Sequence, residues 1–230
     1  MTTVYIISAP SGSGKSTLVN GVRELVPGLD FSISYTTRSP RGKEQNGREY
    51  FFVRRDEFEE MARKDEFLEH ADVFGNLYGT ARKFFREAEQ TGRDLLLDID
   101  VQGAEQIKRK LPAAVSIFIM PPDRQTLERR LRNRSLDAEE VIQRRLATAT
   151  REIENYANYD YILVNDRLDE SVGALKAILL SERLHRSEGG RTTDQAGLLA
   201  QAERCRLNNV RERLQPILTS FVPATTPGGR

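Results

Sequence analysis

The sequence predicts an α/β fold, a parallel sheet core with helices on both faces. Three observations predict it. Short apolar runs recur at Val4–Ile7, Leu95–Leu97, Val115–Met120 and Tyr161–Val164. Longer stretches with helical spacing separate them, and strands that alternate with helices must pair in parallel. A Gly/Ser loop joins the first run to the first helical stretch, which is where such sheets bind phosphates.

Taken in order, Val4–Ile7 is short and β-branched and reads as a buried strand. The loop leads to a helix from about residue 15 to 26, closed by Pro27-Gly28. Phe31–Tyr35 alternates as a strand, and residues 36–49, polar and rich in Arg and Gly, read as a loop. Tyr50–Val53 is a further strand, and Asp56 is a candidate cap for a helix to about Lys64. Phe67–Ala71 reads as a short strand, Phe74–Gly79 as a turn-rich loop and 81–90 as a helix. Asp94–Asp100 is a strand ending in carboxylates. The alternation resumes with a helix (101–110), a strand (115–120), helices from 123 to about 156, a strand (161–164) and a helix (168–186). The stretch 34–80 interrupts this order and reads as an inserted lobe.

Residues 187–193 look like a linker, with Thr192 and Gln195 spaced as a capping box. Leu207, Val210, Leu214, Ile217 and Phe221 then form a helical stripe, which predicts one helix over about 194–221 packed on the core or on a second copy of the chain. Residues 223–230 are expected to be disordered.

Composition narrows the function. The 230 residues are 38% hydrophobic and 30% charged, with 35 Lys plus Arg against 34 Asp plus Glu. A general nucleic-acid binder would be more basic, so any anion site must be local. No apolar run approaches membrane length, and no basic segment precedes Val4, so neither a membrane span nor a signal peptide is expected. One cysteine, Cys205, excludes an internal disulfide and a cysteine-built zinc site. The cytoplasm, a reducing compartment, is the expected location.

Ala9-Pro10-Ser11-Gly12-Ser13-Gly14-Lys15-Ser16 matches G-x-x-x-x-G-K-[ST] with alanine in the first slot. The glycines let backbone N–H groups converge on a phosphate, beside a helix N-terminus. Lys15 can bridge donor phosphates and the Ser16 hydroxyl can ligate magnesium. Asp98, at a strand end, suits metal support; Asp100 suits that or a helix cap. Arg38 and Arg41 flank a proline, and arginine forks fit phosphate oxygens. Tyr50 and Tyr78 supply hydroxyls. Arg129, Arg130, Arg132, Arg134, Arg144 and Arg145 crowd a helical region in which spacing does not single out a site residue.

Several motifs in register then carry a resemblance. They are residues 8–16, Thr36-Thr37-Arg38-Ser39-Pro40-Arg41, Asn46-Gly47-Arg48-Glu49-Tyr50, Phe67-Leu68-Glu69-His70-Ala71, Gly75-Asn76-Leu77-Tyr78-Gly79-Thr80, Leu97-Asp98-Ile99-Asp100-Val101-Gln102-Gly103 and Tyr161-Ile162-Leu163-Val164-Asn165-Asp166. Over about residues 3–186 the chain resembles the guanylate kinases, a family of phosphate-loop nucleoside monophosphate kinases. The resemblance implies magnesium-dependent transfer of the γ-phosphate of ATP to GMP, with dGMP as a further acceptor. It implies one domain over 1–186, with a GMP lobe at about 34–80 and a lid at about 125–150, followed by the tail.

Residue by residue, it puts ATP on Ala9, Pro10, Ser11, Gly12, Ser13, Gly14, Lys15, Ser16 and Thr17. It puts GMP on Ser34, Arg38, Arg41, Tyr50, Glu69, Tyr78, Thr80 and Asp100, and magnesium on Ser16 and Asp98. Lys15, Arg38, Arg134 and Arg145 take the catalytic roles. The family's lid commonly reads Gly-Arg-Gly; here Asn133-Arg134-Ser135 keeps the arginine without the glycines, and Arg167 stands where the family often has an Asp. The alternative is a guanylate-kinase-like interaction module without catalysis. Such a module would be expected to lose Lys15, Ser16, Asp98 or the lobe arginines, and all are present.

Overall fold

The computed structural model describes residues 2–73, 75–134, 138–186 and 193–222, with only the backbone at 134, 193 and 194. In chain order the elements begin with β1 (Val4–Ser8), α1 (Lys15–Leu25), β2 (Leu29–Ser32), β3 (Tyr35–Thr36), β4 (Phe51–Phe52) and α2 (Arg55–Arg63). They continue with β5 (Phe67–Val73), β6 (Asn76–Ala81), α3 (Arg82–Thr91), β7 (Asp94–Asp98), α4 (Val101–Lys110) and β8 (Val115–Met120). Then come α5 (Arg124–Arg134), α6 (Glu139–Ile153), a 3-10 turn (Glu154–Asn158), β9 (Tyr161–Val164), α7 (Leu168–Arg186), α8 (Thr193–Glu203) and α9 (Leu207–Phe221).

The apolar runs form one parallel sheet in the order β2-β7-β1-β8-β9. Strands buried on both faces need no polar alternation, which is why these runs are continuous. Their side chains still alternate between faces. Val4 and Ile6 join α4, α6 and α9 in one core, while Tyr5 and Ile7 join α1 and α7 in the other. The chain passes over β1 between β7 and β8, and ligands of such sheets bind beyond the strand carboxyl ends at this kind of crossing.

A smaller sheet, β4-β3-β6-β5, fills the stretch that interrupts the alternation. Its own core is Phe58, Phe67 and Ala81. The strand expected at Phe31–Tyr35 is two strands: the chain leaves the large sheet after Ser32 and enters the small one at Tyr35. The loop expected at Phe74–Gly79 is mostly strand, because Asn76–Ala81 pairs antiparallel with β5. The turn chemistry there is genuine but confined to Gly75, at φ 82° and bonded to Asp72. Asp56 does not cap α2; Arg54 occupies that place, and Asp56 sits in the first turn, where its charge favours the helix dipole.

The tail is two helices rather than one. Residues 204–207 cross the exposed edge of the large sheet. Ile162 N–H donates to Cys205 O at 2.8 Å and Leu207 N–H to Asp160 O at 3.1 Å. An edge strand left open is a pairing hazard, and this segment covers it. The crossing puts α8 on one face and α9 on the other, where Val210, Leu214, Ile217 and Phe221 are buried in the chain's own core. Residues 187–192, including Thr192 of the expected capping box, and 223–230 lie outside the described residues. No helix among the described residues is long and apolar enough to cross a membrane.

Candidate active site

The phosphate loop follows β1 and opens α1. Gly12 and Gly14 have φ of 90° and 87°, a region closed to most side chains. Space closes it too: a Cβ on Gly14 would sit 2.5 Å from Asn165 Nδ2, and one on Gly12 2.9 Å from Leu131. Ala9 has no positive φ, so alanine serves in the slot usually held by glycine. Asn165 Nδ2 donates to Ser13 O at 2.7 Å and ties the loop to the end of β9. Gly14 gives α1 no side-chain cap, so its first N–H groups face the cleft, a ready anion site. That cleft, about 300 Å³, is lined by Gly12, Gly14, Ser16, Thr17 and Arg130. A separate hollow of about 380 Å³ lies on α8 and α9, away from these groups.

Lys15 reaches across the sheet ends. Its Nζ lies 2.5 Å from Asp98 Oδ1 and donates to Ile99 O at 3.1 Å. Burial alone would lower its proton affinity, but the Asp98 carboxylate outweighs this and holds the ammonium above its usual range. Among the described residues no cluster of three or more His, Cys, Asp or Glu could cage a metal. One hydroxyl, Ser16, and one carboxylate, Asp98, form a donor set that suits magnesium, which keeps several waters and takes oxygens from substrate phosphates.

The small sheet brings a second group of residues to the same place. Arg38, 9% exposed, donates through Nε to the Tyr78 hydroxyl at 3.2 Å, through Nη1 to Ser39 O at 2.7 Å and through Nη2 to Glu44 at 3.0 Å. Its guanidinium lies 5.3 Å from the Tyr50 ring centroid, and Tyr50 meets Tyr78 edge to face. Tyr50 joins the two halves: burial raises its proton affinity, and both Asp98 and Lys15 act on its hydroxyl. Arg41 is exposed, its backbone N–H held by Glu44.

Deeper in, Glu69 is 4% exposed and accepts from the Thr80 hydroxyl at 2.6 Å. Burial pushes its carboxyl up to about 7; the Thr80 bonds oppose this and Asp100 adds to it. Asp100 caps α4, accepting from Gly103 N–H at 2.9 Å, and Ser34 is buried. A chain of contacts thus runs from Lys15 and Asp98 through Tyr50 and Tyr78 to Arg38, and Glu69 meets Thr80 and feels Asp100. Arg145 is half-buried on α6, and the Arg134 side chain lies outside the described residues.

Four residues escape sequence reasoning. Arg130 is one of six helical arginines; in the fold its Nη2 donates to Asn165 O at 3.0 Å and its buried Nη1 has no hydrogen-bond partner among the described residues. Asn165 and Glu44 hold the loop and Arg38 as described. Glu152, near the end of α6, lies against the Ser11 backbone, and burial pushes it up to about 7 despite nearby Lys15. Only Asn165 belonged to a recognisable motif; the other three are ordinary charges until the fold sets Arg130 beside Asn165, Glu44 beside Arg38 and Glu152 beside Ser11.

The guanylate kinase family model matches residues 1–182. A guanylate kinase from Koribacter versatilis is 59% identical over 228 residues, covering 98% of each chain. One from Escherichia coli K12 is 52% identical over 187 residues, 80% of this chain and 90% of that protein. The crystal structure of a guanylate kinase from Anaplasma phagocytophilum superposes with a TM-score of 0.67 at 33% identity over 94% of each chain. With its phosphate loop, its parallel core and these matches along most of its length, the chain belongs to the guanylate kinase family.

Proposed function

We propose that this protein transfers the γ-phosphoryl group of ATP to GMP, giving GDP and ADP, and that it takes dGMP as well. What supports this reading is the chain of contacts from Lys15 and Asp98 at the phosphate loop to Tyr50, Tyr78 and Arg38 of the small lobe, with Glu69 coupled to it through Asp100. Residues 1–186 are the catalytic domain, with 34–80 as the GMP lobe, about 125–150 as the lid and 187–230 as an appended tail.

The donor phosphates lie on the backbone of Ala9 to Thr17, against the N-terminus of α1. Lys15 turns from Asp98 to these phosphates when nucleotide is bound. Ser16 and Asp98 would hold magnesium, which supplies charge neutralisation at the donor phosphates. Arg134 and Arg145 add positive charge from the lid, and Arg130 joins them through Nη1, which has no hydrogen-bond partner among the described residues.

On the acceptor side, Arg38, Arg41, Tyr50 and Tyr78 hold the GMP phosphate. Glu44 keeps the Arg38 fork oriented before GMP arrives. Glu69, with Ser34, Thr80 and Asp100, reads guanine. Ionised Glu69 is acceptor-only and matches the adjacent N1–H and N2–H₂ donors of guanine. Adenine would leave it unpaired, a mismatch that can reach roughly 10⁴-fold in discrimination. dGMP carries the same base and phosphate and would use the same contacts.

The attacking GMP oxygen is already an anion, so no strong general base is needed. Catalysis is alignment plus charge neutralisation, and closure of the lid keeps water from taking the phosphoryl group. Magnesium use, the cytoplasmic location and the absence of nucleic-acid or membrane partners belong to the same reading. Turnover with GMP, dGMP, AMP and UMP tests it. GDP formation with GMP far above AMP and UMP is expected; no turnover with any of the four would favour the interaction-module alternative.

A further inference from the structure

Glu69 does not hold its place alone. One face of α4 presents Gly103, Gln106 and Lys110 at helical spacing, and all three meet β5 at residues 68–70. Gln106 pairs with the backbone of His70 as a neighbouring strand would: its Nε2 donates to His70 O at 2.9 Å and its Oε1 accepts from His70 N–H at 3.4 Å. Lys110 Nζ donates to Leu68 O. Between these ties β5 is irregular. Phe67 pairs with Ala81 but Glu69 with Thr80, so one residue too many stands on β5 and the ladder shifts. Such bulges re-aim side chains. Phe67 enters the small core, Leu68 the large one, and Glu69 is buried towards α4.

What lets Glu69 fit there is the lack of a side chain at 103. A Cβ on Gly103 would lie 2.6 Å from Glu69 Oε2 and 3.0 Å from its Cδ. The backbone does not demand glycine, since Gly103 lies in the first turn of α4 and has no positive φ. The requirement is therefore for space, first for the Glu69 carboxylate and less tightly for Asp100 Oδ1, which would lie 3.3 Å from the same Cβ.

We propose that Gly103 is a positioning residue for guanine recognition, setting where the Glu69 carboxylate stands, with Gln106 fixing the β5 backbone beneath it. This rests on Glu69 being the guanine acceptor. A methyl group at 103 would force the carboxylate back by roughly 0.7 Å to reach ordinary C···O contact. Its other oxygen is already engaged by Thr80, so the carboxylate cannot retreat without turning from the base. Displacements of that order in a charged recognition pair weaken binding severely.

The test is Gly103→Ala, alone and combined with Glu69→Ala, each assayed for KM of GMP, KM of ATP and kcat. Gly103→Ala is expected to raise the KM for GMP roughly tenfold or more while the KM for ATP holds. Alanine is the better helix former, so loss of the helix is not the expected route to this effect. In the Glu69→Ala background the substitution should add little, because the group it displaces is gone. If Gly103→Ala fails to fold, Gln106→Ala, half-buried and outside the core, serves in the same cycle with a smaller rise expected. An unchanged KM for GMP, a matching rise for ATP, or an equal rise in the Glu69→Ala background overturns the proposal. Glu69→Ala alone with unchanged GMP affinity would instead sink the guanine reading itself, and the two failures are separable.

Discussion

Replacing Glu69 by Gln should make the empty protein more stable and its recognition of GMP worse, with the stability gain set by pH. Burial moves the Glu69 carboxyl from its ordinary value of 4.5 up to about 7 in the folded chain. Each tenfold difference in proton affinity is worth about 1.4 kcal/mol, so an ionised Glu69 costs the folded, ligand-free protein about 3 kcal/mol. Below pH 4.5 the group is protonated in both folded and unfolded chains and costs nothing. Between 4.5 and 7 the folded chain binds the extra proton, so stability falls as pH rises, and above 7 the loss is complete. Glutamine stays neutral and can still accept from the Thr80 hydroxyl. Glu69→Gln should therefore exceed wild type by under about 1 kcal/mol at pH 5 and by up to about 3 kcal/mol at pH 8. At pH 8 that is a rise in melting temperature of roughly 6–12 °C for a chain of this size. Denaturant melts of both proteins without nucleotide, at the two pH values, measure it. Wild-type kcat/KM for GMP should also fall as pH drops below 7, because guanine needs the ionised form. An equal stability gap at pH 5 and pH 8, or a less stable variant at pH 8, would refute the burial of charge as the cause.

Lys15→Ala should lower kcat by at least about 10²-fold, the scale of losing one transition-state donor; circular dichroism should stay native, and near-wild-type turnover would refute the role. Asp98→Asn should shift the magnesium dependence of turnover to higher concentration, seen by titrating the metal at saturating ATP and GMP. Leu214→Ala empties a site in α9 that is fully buried and should cost about 2–5 kcal/mol in urea melts while turnover per folded molecule holds. A change within 0.5 kcal/mol would mean, to about that resolution, that α9 is only loosely docked.

Local chemistry made much of this protein legible without coordinates. The order of strands and helices in the large sheet follows from apolar runs too short for helices and amphipathic stretches too long for strands. The phosphate loop follows from glycines beside Lys15 and Ser16, because the conformation it needs is written in one contiguous segment. Arg38, Glu69, Tyr78 and Asp98 fall on recognisable motifs for the same reason. The stripe on α9 was legible as well, since periodicity marks which face is buried.

What the stripe packs against was not legible. The chain's own core takes it, and the break at 204–206 exists because that segment crosses the edge of β9, a strand some forty residues earlier. The hairpin of β5 and β6 was hidden for a related reason: Gly75, Asn76 and Gly79 carry turn chemistry, and only pairing with β5 makes a strand of residues 76–81. Arg130, Glu44 and Glu152 look like any surface charge along the chain. Their meaning lies in which distant groups the fold sets beside them: Asn165 for Arg130, Arg38 for Glu44, Ser11 for Glu152. Even Gly103 reads in sequence as a small residue early in a helix. Periodicity, turn propensity and contiguous motifs act over a few residues, so the sequence by itself determined them; burial, charge pairing and the space left for the Glu69 carboxylate depend on contacts across the fold, and only the tertiary structure decided those.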